Sequence, residues 1–230
     1  MIRMAAEHGT TALVGTPHAD LEYRYDPVLI AERLAELSDA AGGAIELYAG
    51  CDFHLTFENI HDAIENPRKY TINRKNYLLV EFSNYDIIPN TGEVFAQLAR
   101  AGMVSVITHP ERNPLLRNRI KDIEAWVNAG AAVQITGQSL TGHFGRNAQD
   151  FCKRLLEERL VHFVASDAHD CERRPPRLDV AHQWLVENCG EQAARTLCVD
   201  NPRAAVDGQP LQPLVLDDSP GMRKWYQFWR

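Results

Sequence analysis

The residues best suited to chemistry stand at the ends of short apolar runs in this sequence. Five of six such runs are followed by a histidine or an acidic residue. Because the carboxyl ends of parallel strands gather on one face of an α/β sheet, or at the mouth of a barrel, these side chains are expected to meet. The candidate metal ligands are His18, Asp52, Glu81, His109, Asp167 and His169.

Three imidazoles and three carboxylates cannot share one small region without compensation, because clustered carboxylates repel one another and their pKa values rise. Divalent ions supply the missing positive charge. Mixed nitrogen and oxygen ligation suits Mn, Fe, Zn or Co better than Ca or Mg. Six ligands exceed what one tetrahedral zinc ion needs. We therefore predict a centre of two or three metal ions with a bridging carboxylate.

The most specific of these signals is Asp167-Ala-His169, where both side chains follow an apolar run and face one region. The structural alternative is that Asp167 caps the next helix while His169 lies on the surface. His109 belongs to a His-Pro-Glu-Arg pattern that is less specific, and the remaining candidates are weak when taken alone. The metal site is thus predicted from the joint position of the candidates.

Two arginines, Arg112 and Arg174, lie beside the predicted cluster. A guanidinium presents a fixed fork of donors that matches a phosphate group in a bidentate manner. Together with metal ions that polarise a phosphoryl oxygen and activate water, these arginines indicate hydrolysis of phosphate esters. The structural alternatives are an ion pair of Arg112 with Glu111 or Asp86, and a solvated loop around Arg174.

Other polar positions near the predicted mouth are interpreted more conservatively. His54 and His143 are structural or, alternatively, contact the substrate. The glycine-containing stretch 134–145 predicts a loop that lines the site, because glycines permit tight turns and close approach of the backbone. A phosphate-binding P-loop is not predicted there, since no Gly-Lys-Ser/Thr follows.

Six β-type runs are largely apolar rather than alternating, as expected for parallel strands covered on both faces. They are Thr11–Val14, Ile45–Ala49, Tyr77–Phe82, Val104–Thr108, Ala132–Thr136 and Val161–Ala165. Segments with helical spacing lie between them, at Val28–Ala40, Gly92–Arg100, Ile120–Ala129, Asn147–Arg159 and Leu178–Asn188. Strands that alternate with helices over this length predict a parallel α/β fold.

Several helix ends carry their own signals. Residues 1–8 are predicted to be the last turns of a helix that stops at Gly9. Asn90 followed by Glu93 predicts a capping box at the start of the helix that begins near Gly92. Gly130 is placed as a glycine that follows a helix C-terminus.

The composition excludes several classes of protein. Lys and Arg number 24 against 31 Asp and Glu, for a net charge of −7, so no basic surface for nucleic acid is expected. No apolar stretch reaches the length of a membrane span, and the N-terminus lacks the apolar core of an export signal. The five cysteines show no C-x-x-C spacing, which favours reduced thiols in the cytoplasm.

Two units are predicted along the chain. Residues 1–200 form a phosphoesterase domain, and residues 201–230 form a C-terminal extension that is rich in proline and ends in aromatic residues. The aromatic residues of the tail are Trp225, Tyr226, Phe228 and Trp229. Their mixture with basic residues suits an interface with a partner or a membrane surface. The alternative is that the tail packs on its own domain or on a neighbouring subunit.

Four motifs of this sequence occur together in one known family. They are Thr16-Pro-His18, Thr108-His-Pro-Glu-Arg112, the loop Ser139-Leu-Thr-Gly142 with Phe144-Gly145, and Val161-His-Phe-Val-Ala-Ser-Asp-Ala-His169. Together they resemble the manganese-dependent bacterial protein-tyrosine phosphatases of capsule and exopolysaccharide operons. These enzymes belong to the polymerase-and-histidinol-phosphatase (PHP) superfamily. The likeness covers residues 5 to 190.

The resemblance implies a distorted seven-stranded (β/α) barrel with a site for three metal ions. Mn²⁺ is the expected metal, with Fe, Zn or Co as alternatives. By position, the six candidate ligands match family metal ligands, and Arg112 and Arg174 match the phosphate-binding arginines. Asp52 departs from the pattern, because the family usually has glutamate there, and the shorter side chain shifts the reach of the carboxylate.

The resemblance also implies an additional strand at the front of the barrel. The family opens with a strand that carries Asp-x-His-x-His, and both histidines ligate metal. This sequence starts after that motif, and six strands are visible where seven are expected. We therefore expect either a natural start further upstream or a truncated barrel in which one metal loses two ligands.

The predicted function is metal-dependent hydrolysis of phosphotyrosine on the tail of a bacterial tyrosine kinase, in which the partner follows from the resemblance alone. One alternative is a small-molecule phosphatase, such as one for histidinol phosphate. The other is a catalytically impaired module that binds phosphotyrosine without turnover. The protein is expected in the cytoplasm, without a nucleic-acid partner, and homo-oligomer formation stays open.

Overall fold

The computed structural model describes residues 1–217, and in this part of the chain parallel strands alternate with helices. The strands are β1 Ala12–Gly15, β2 His18–Ala19, β3 Glu46–Ala49, β4 Asp52–His54, β5 Tyr77–Glu81, β6 Val104–Thr108, β7 Ala132–Thr136 and β8 Phe163–Ala165. The α-helices are α1 Ile2–Glu7, α2 Pro27–Ala40, α3 Phe57–Glu65, α4 Thr91–Arg100, α5 Ile120–Asn128, α6 Gly137–Leu140, α7 Arg146–Glu157, α8 Asp179–Cys189, α9 Glu191–Arg195 and α10 Asn201–Asp207.

The strands form two parallel sheets. The larger sheet has the order β2-β4-β5-β6-β7-β8, and β1 pairs with β3 in a separate two-stranded sheet. Every described pairing is parallel. The predicted α/β fold with parallel strands is therefore confirmed, and the carboxyl ends of the six sheet strands face the same edge.

The front of the main sheet differs from the sequence-based expectation. The predicted runs Thr11–Val14 and Ile45–Ala49 form the separate pair β1 and β3, while the short strands β2 and β4 take their places in the main sheet. The chain passes from β3 to β4 through Gly50, where an added Cβ would lie 2.7 Å from a Val14 methyl carbon. Only glycine allows the two sheets to approach so closely at this point.

The helices begin and end near the predicted residues, with one correction. Helix α1 is followed by Gly9 at φ +85°, and α5 is followed by Gly130 at φ +103°, so both predicted glycine stops are confirmed. The predicted capping box is wrong. Asn90 adopts φ +64° and makes no side-chain cap, whereas the Thr91 hydroxyl donates to the Ile88 carbonyl at 2.7 Å.

The central strands are buried on both faces, which explains why their sequences do not alternate. One face packs in the larger core under the helices, through Leu78, Val80, Ile107, Val133, Ile135 and Val164. The opposite face, with Tyr77, Leu79, Val106, Ala132 and Phe163, packs against Ala205 and Val206 of α10. Strands of this kind are held firmly, so they provide a rigid base for side chains at their carboxyl ends.

The segment after residue 200 packs on the same core as far as it is described. The Asn201 amide donates to the carbonyls of His162 and Gln212, both at 3.0 Å, and its oxygen accepts from the Gln212 amide at 2.7 Å. Leu214 is buried in the larger core. The division into residues 1–200 and 201–230 stays a prediction, and the aromatic tail residues at 225–229 lie outside the described residues.

Within residues 1–217, no helix is long and apolar enough to cross a membrane. The five cysteines are free thiols, and three of them, Cys51, Cys152 and Cys189, are buried. Burial raises the pKa of Cys189 to about 12, so this thiol stays protonated and packs as a small apolar group.

The partly buried His162 gives stability a defined pH dependence. Its Nδ1 accepts from the Val133 amide at 3.1 Å, and burial lowers its pKa. Near pH 6.5 the His162 ring therefore binds a proton in the unfolded chain but not in the folded chain. The free energy of unfolding falls as the pH drops below that value, by up to about 1.4 kcal/mol per pH unit. We expect the stability difference between the wild type and His162→Asn to shrink from pH 7.5 to 5 in urea titrations.

Asparagine keeps an acceptor for the Val133 amide but does not titrate. The matched control is His61→Asn on the exposed surface of α3, which should leave the pH dependence of unfolding unchanged. If the free energies of unfolding of the wild type and of His162→Asn changed with pH in the same way, the His162 ring would not have a lowered pKa in the folded chain.

Candidate metal centre

Strand register brings the first four side chains of the site together. His18 of β2 lies opposite Asp52 of β4, and His54 of β4 lies opposite Glu81 of β5. His18 Nδ1 is 3.0 Å from Asp52 Oδ2, and His54 Nε2 is 2.8 Å from Glu81 Oε2. Asp52 and His54 are two residues apart in one strand, so they point to the same side of the sheet.

These four residues offer ligand atoms that all lie within 4.8 Å of one another. Asp52 is mostly buried, and its Oδ1 has no hydrogen-bond partner among the described residues. Burial raises the pKa of Asp52 to about 6, and the hydrogen bond to Asp52 raises the pKa of His18 to about 8. An orphaned buried oxygen between two imidazoles and a second carboxylate fits a divalent cation of the Mn, Fe, Zn and Co group.

Glu81 is the central carboxylate of the cluster. One of its oxygens contacts His18 and His54, and the other lies 3.6 Å from His109 Nε2. Burial opposes its ionisation, but hydrogen bonding, foremost with His54, outweighs burial and lowers the pKa of Glu81 overall. Glu81 therefore stays ionised and can bridge cations on its two sides.

His109 follows β6 in a strained conformation. Its φ is +33°, which is rare for a residue with a side chain, and its amide donates to the Gln134 carbonyl of β7 at 2.8 Å. The ring is buried, and burial lowers its pKa. A neutral imidazole is the form that binds a metal, so strain and burial together suit a ligand role.

Asp167, which follows β8, makes a second group with the two arginines. Its Oδ2 accepts from Nη1 of Arg112 and from Nη2 of Arg174. Both guanidiniums also stack on the Phe144 ring, at 4.7 and 5.9 Å from its centroid. Among the described residues, Arg112 pairs with Asp167 rather than with Glu111 or Asp86, and the N-cap of α8 is Leu178 rather than Asp167.

His169 lies at the outer side of this second group. Its side chain is 45% exposed, its Nδ1 is 3.0 Å from the Asp167 carbonyl oxygen and 4.0 Å from Asp167 Oδ1. It does not join the four-residue cluster. A small cavity of about 80 Å³ is lined by Glu81 of the first group, by Arg112 of the second and by His109, among others. Of the predicted residues, Glu81, His109 and Arg112 thus line one opening, and the roles of all the predicted site residues stay predictions.

His54 is the site residue that the sequence reasoning did not assign as a ligand. Asp52 was predicted to follow a strand, whereas Asp52 and His54 both belong to β4. The alternating spacing Asp-x-His within one strand places both side chains on one face. That spacing is the only sequence feature that could have indicated His54.

Comparisons with known proteins bear on the whole arrangement. A family model described as capsular polysaccharide synthesis, CpsB/CapC, matches residues 1–207. The chain belongs to the CpsB/CapC family. The predicted resemblance is thereby confirmed, and it extends over nearly all of the described residues.

Individual members of the CpsB/CapC family agree with this assignment. CapC of Staphylococcus aureus is 34% identical over 180 residues, 76% of this chain and 70% of that protein. The tyrosine-protein phosphatase YwqE of Bacillus subtilis is 32% identical over 179 residues, 76% of this chain and 70% of that protein. One chain from the crystal structures of YwqE from Bacillus subtilis and CpsB from Streptococcus pneumoniae, described as metal-dependent tyrosine phosphatases, matches with a TM-score of 0.85 and 29% identity over 94% of this chain and 90% of that chain.

Glu111 supports the turn of this CpsB/CapC-family chain that carries His109 and Arg112. Its carboxyl is completely buried, accepts from the Thr136 amide at 3.0 Å, and has the hydroxyls of Thr136 and Ser139 as further polar neighbours. Burial raises the pKa of Glu111. Glu111 therefore links the turn that carries His109 and Arg112 to the end of β7.

We expect Glu111→Ala to lower the free energy of unfolding by about 2 kcal/mol, because the buried Thr136 amide loses its acceptor. Glu111→Gln should cost much less, since the amide oxygen accepts from the same donor. Urea titration of both variants measures the difference. Equal costs for the two variants would show that the acceptor at this position contributes nothing.

His54 should matter for metal affinity. We expect His54→Ala to weaken binding of Mn²⁺ by at least about 10-fold to 100-fold, the cost of changing a residue that only orients a ligand, because one of four close candidate ligands is removed. Titration against a competing chelator measures the dissociation constant. His61→Ala on the outer surface of α3 is the matched control and should bind as the wild type does. Unchanged affinity in His54→Ala would exclude His54 from the ligand set.

Proposed function

We propose that this chain is a metal-dependent protein-tyrosine phosphatase that hydrolyses phosphotyrosine in a partner protein. The observation that carries the proposal is the convergence of Arg112 and Arg174 on one carboxylate oxygen beside the histidine and carboxylate cluster. Two guanidiniums held in that way form a binding position for an anionic oxygen. A position of this kind next to a metal cluster suits a phosphoryl group.

The ligands for the metal ions would be His18, Asp52, Glu81 and His109 on one side, with Asp167 and His169 on the other, and His54 in addition. Bound divalent ions there would polarise the phosphoryl oxygens and lower the pKa of a water molecule. A donor set that mixes imidazole nitrogens and carboxylate oxygens favours Mn²⁺, in two or three sites, over Ca²⁺ or Mg²⁺. Fe, Zn and Co are the alternatives that elemental analysis would separate.

The protein residues supply binding and orientation. Arg112 and Arg174 bind the phosphoryl oxygens and neutralise the charge that develops on them in the transition state. Phe144 contacts both guanidiniums from one side, which limits the orientations that they can adopt. The small cavity between Glu81, His109 and Arg112 offers room for the group that is transferred.

The kinase partner is proposed from the family resemblance alone, while the names of the relatives support only the process and the activity. CapC and CpsB belong to a family described by capsular polysaccharide synthesis, and YwqE and CpsB are named as tyrosine phosphatases. We infer that the natural substrate is the phosphorylated tail of a bacterial tyrosine kinase of that process. We also infer that this hydrolysis takes place in the cytoplasm. Light scattering on the purified chain would measure whether it forms homo-oligomers.

The decisive experiment compares three substrates in the presence of Mn²⁺ and of EDTA. We expect hydrolysis of a phosphotyrosine peptide with Mn²⁺, its loss with EDTA, and its return when Mn²⁺ is restored. Faster hydrolysis of histidinol phosphate would identify a small-molecule phosphatase instead. Binding of the peptide without turnover of any substrate would identify a module that recognises phosphotyrosine but does not hydrolyse it.

A further inference from the structure

A second cavity opens on the other side of His18. Its volume is about 330 Å³, and it is lined by Pro17, His18, Tyr23, Arg24, Tyr25 and Ile30. Apart from the rim residue Arg24, its walls are formed largely by rings and apolar side chains. His18 lines this cavity and also pairs with Asp52 of the candidate metal-binding cluster, so the two sites share this residue.

The walls of this cavity are held in place before any ligand binds. Tyr25 is buried, and its ring centroid lies 5.3 Å from that of Tyr70, which in turn lies 5.1 Å from Phe53. Burial raises the pKa of Tyr25 to about 12, so the ring stays neutral. The floor of the cavity is therefore a fixed aromatic stack.

The loop that carries the outer wall is fixed at both ends by aspartates. Asp20 Oδ1 accepts from the amides of Glu22 and Tyr23, at 2.8 and 2.7 Å. Asp26 accepts from the first amides of α2 and begins that helix. Between them Tyr23 lines the cavity and is 55% exposed. An exposed ring on a fixed loop is suited to contact a ligand without a large cost of ordering.

We infer that this cavity is a subsite for the aromatic ring of the substrate, and that Tyr23 selects aryl phosphates over alkyl phosphates. The inference rests on the proposed function, because the phosphoryl group must lie at the metal cluster for the attached group to enter beside His18. Aromatic rings prefer edge-to-face or offset contacts with one another, a preference that alkyl groups do not share. Tyr23 and the Tyr25 wall offer such contacts on two sides.

The test measures binding, so it does not require turnover. Dissociation constants of benzylphosphonate and ethylphosphonate, which have no ester bond to hydrolyse, are measured by calorimetry on the Mn²⁺-loaded chain. We expect the wild type to bind the aryl compound about tenfold more tightly. Tyr23→Ala should lose that preference while it binds ethylphosphonate as before, and Tyr23→Phe should keep it.

Tyr85→Ala is the matched control, because this tyrosine is 95% exposed and lines neither cavity. It should leave both dissociation constants unchanged. A wild type without aryl preference, or an equal effect of Tyr23→Ala on both compounds, would overturn the inference. These results are independent of the hydrolysis assay, so a chain that hydrolyses phosphotyrosine but fails here keeps its proposed function and loses only the ring subsite.

Discussion

Glu81→Gln should lower kcat/KM for metal-dependent hydrolysis of phosphotyrosine by at least about a hundredfold. Changes to residues that only orient metal ligands cost about 10-fold to 100-fold in affinity or activity, and Glu81 stands at the centre of the ligands themselves. It contacts His18, His54 and His109 through its two oxygens. Glutamine keeps the shape but removes the negative charge that a bridging ligand supplies. Steady-state kinetics at saturating Mn²⁺ measure the loss.

The control for this variant is Glu93→Gln, which makes the same chemical change on the exposed surface of α4. Its kcat/KM should equal that of the wild type. Circular dichroism should show that both variants are folded. A folded Glu81→Gln enzyme that retains most of its activity would mean that the reaction does not depend on the cluster described here.

Arg112→Lys should reduce kcat/KM by about 10²-fold to 10³-fold, which is the usual effect of removing one preorganised donor from a developing charge. Lysine keeps the positive charge but offers a single ammonium in place of a planar fork, and it stacks less well on the Phe144 ring. Arg174→Lys should behave in the same way, because it shares both the ring and the carboxylate oxygen.

Inorganic phosphate gives a second measurement of these arginines. Its inhibition constant should rise in Arg112→Lys and Arg174→Lys, since the same donors hold the product. Arg119→Lys is the matched control, because Arg119 is about half exposed and pairs with Asp122 on α5. Wild-type activity and inhibition in the two site variants would remove both arginines from phosphate binding.

The central strands could be predicted from the sequence because burial on both faces leaves a continuous apolar record. Strands β6 and β7 have the predicted bounds, and β5 ends one residue earlier than predicted. The predicted ligands Glu81, His109 and Asp167 lie at or just after the ends of such strands, and parallel pairing brings these ends to one edge. Their proximity followed from topology alone.

The front of the sheet could not be predicted in the same way. Strands β2 and β4 have two and three residues, which is too short for any periodic pattern to be visible. Their place in the main sheet depends on pairing with distant parts of the chain, and so does the role of His54. The pairing of Arg112 with Asp167 likewise joins residues 55 positions apart in sequence, and no local pattern encodes it.

The brevity of β2 has a consequence for how the site holds itself together. In the part of the chain that is described, this strand lies at the margin of the main sheet and pairs only with β4, through His18 and Ala19. An ion bound by His18, Asp52 and Glu81 would fasten three consecutive strands to one another. Any ligand that binds the folded form alone adds RT ln(1 + [L]/Kd) to its stability, about 2.7 kcal/mol at a hundredfold excess over Kd. The concentration of the metal ion would then affect how firmly β2 is attached to the main sheet, as well as the hydrolysis at the site.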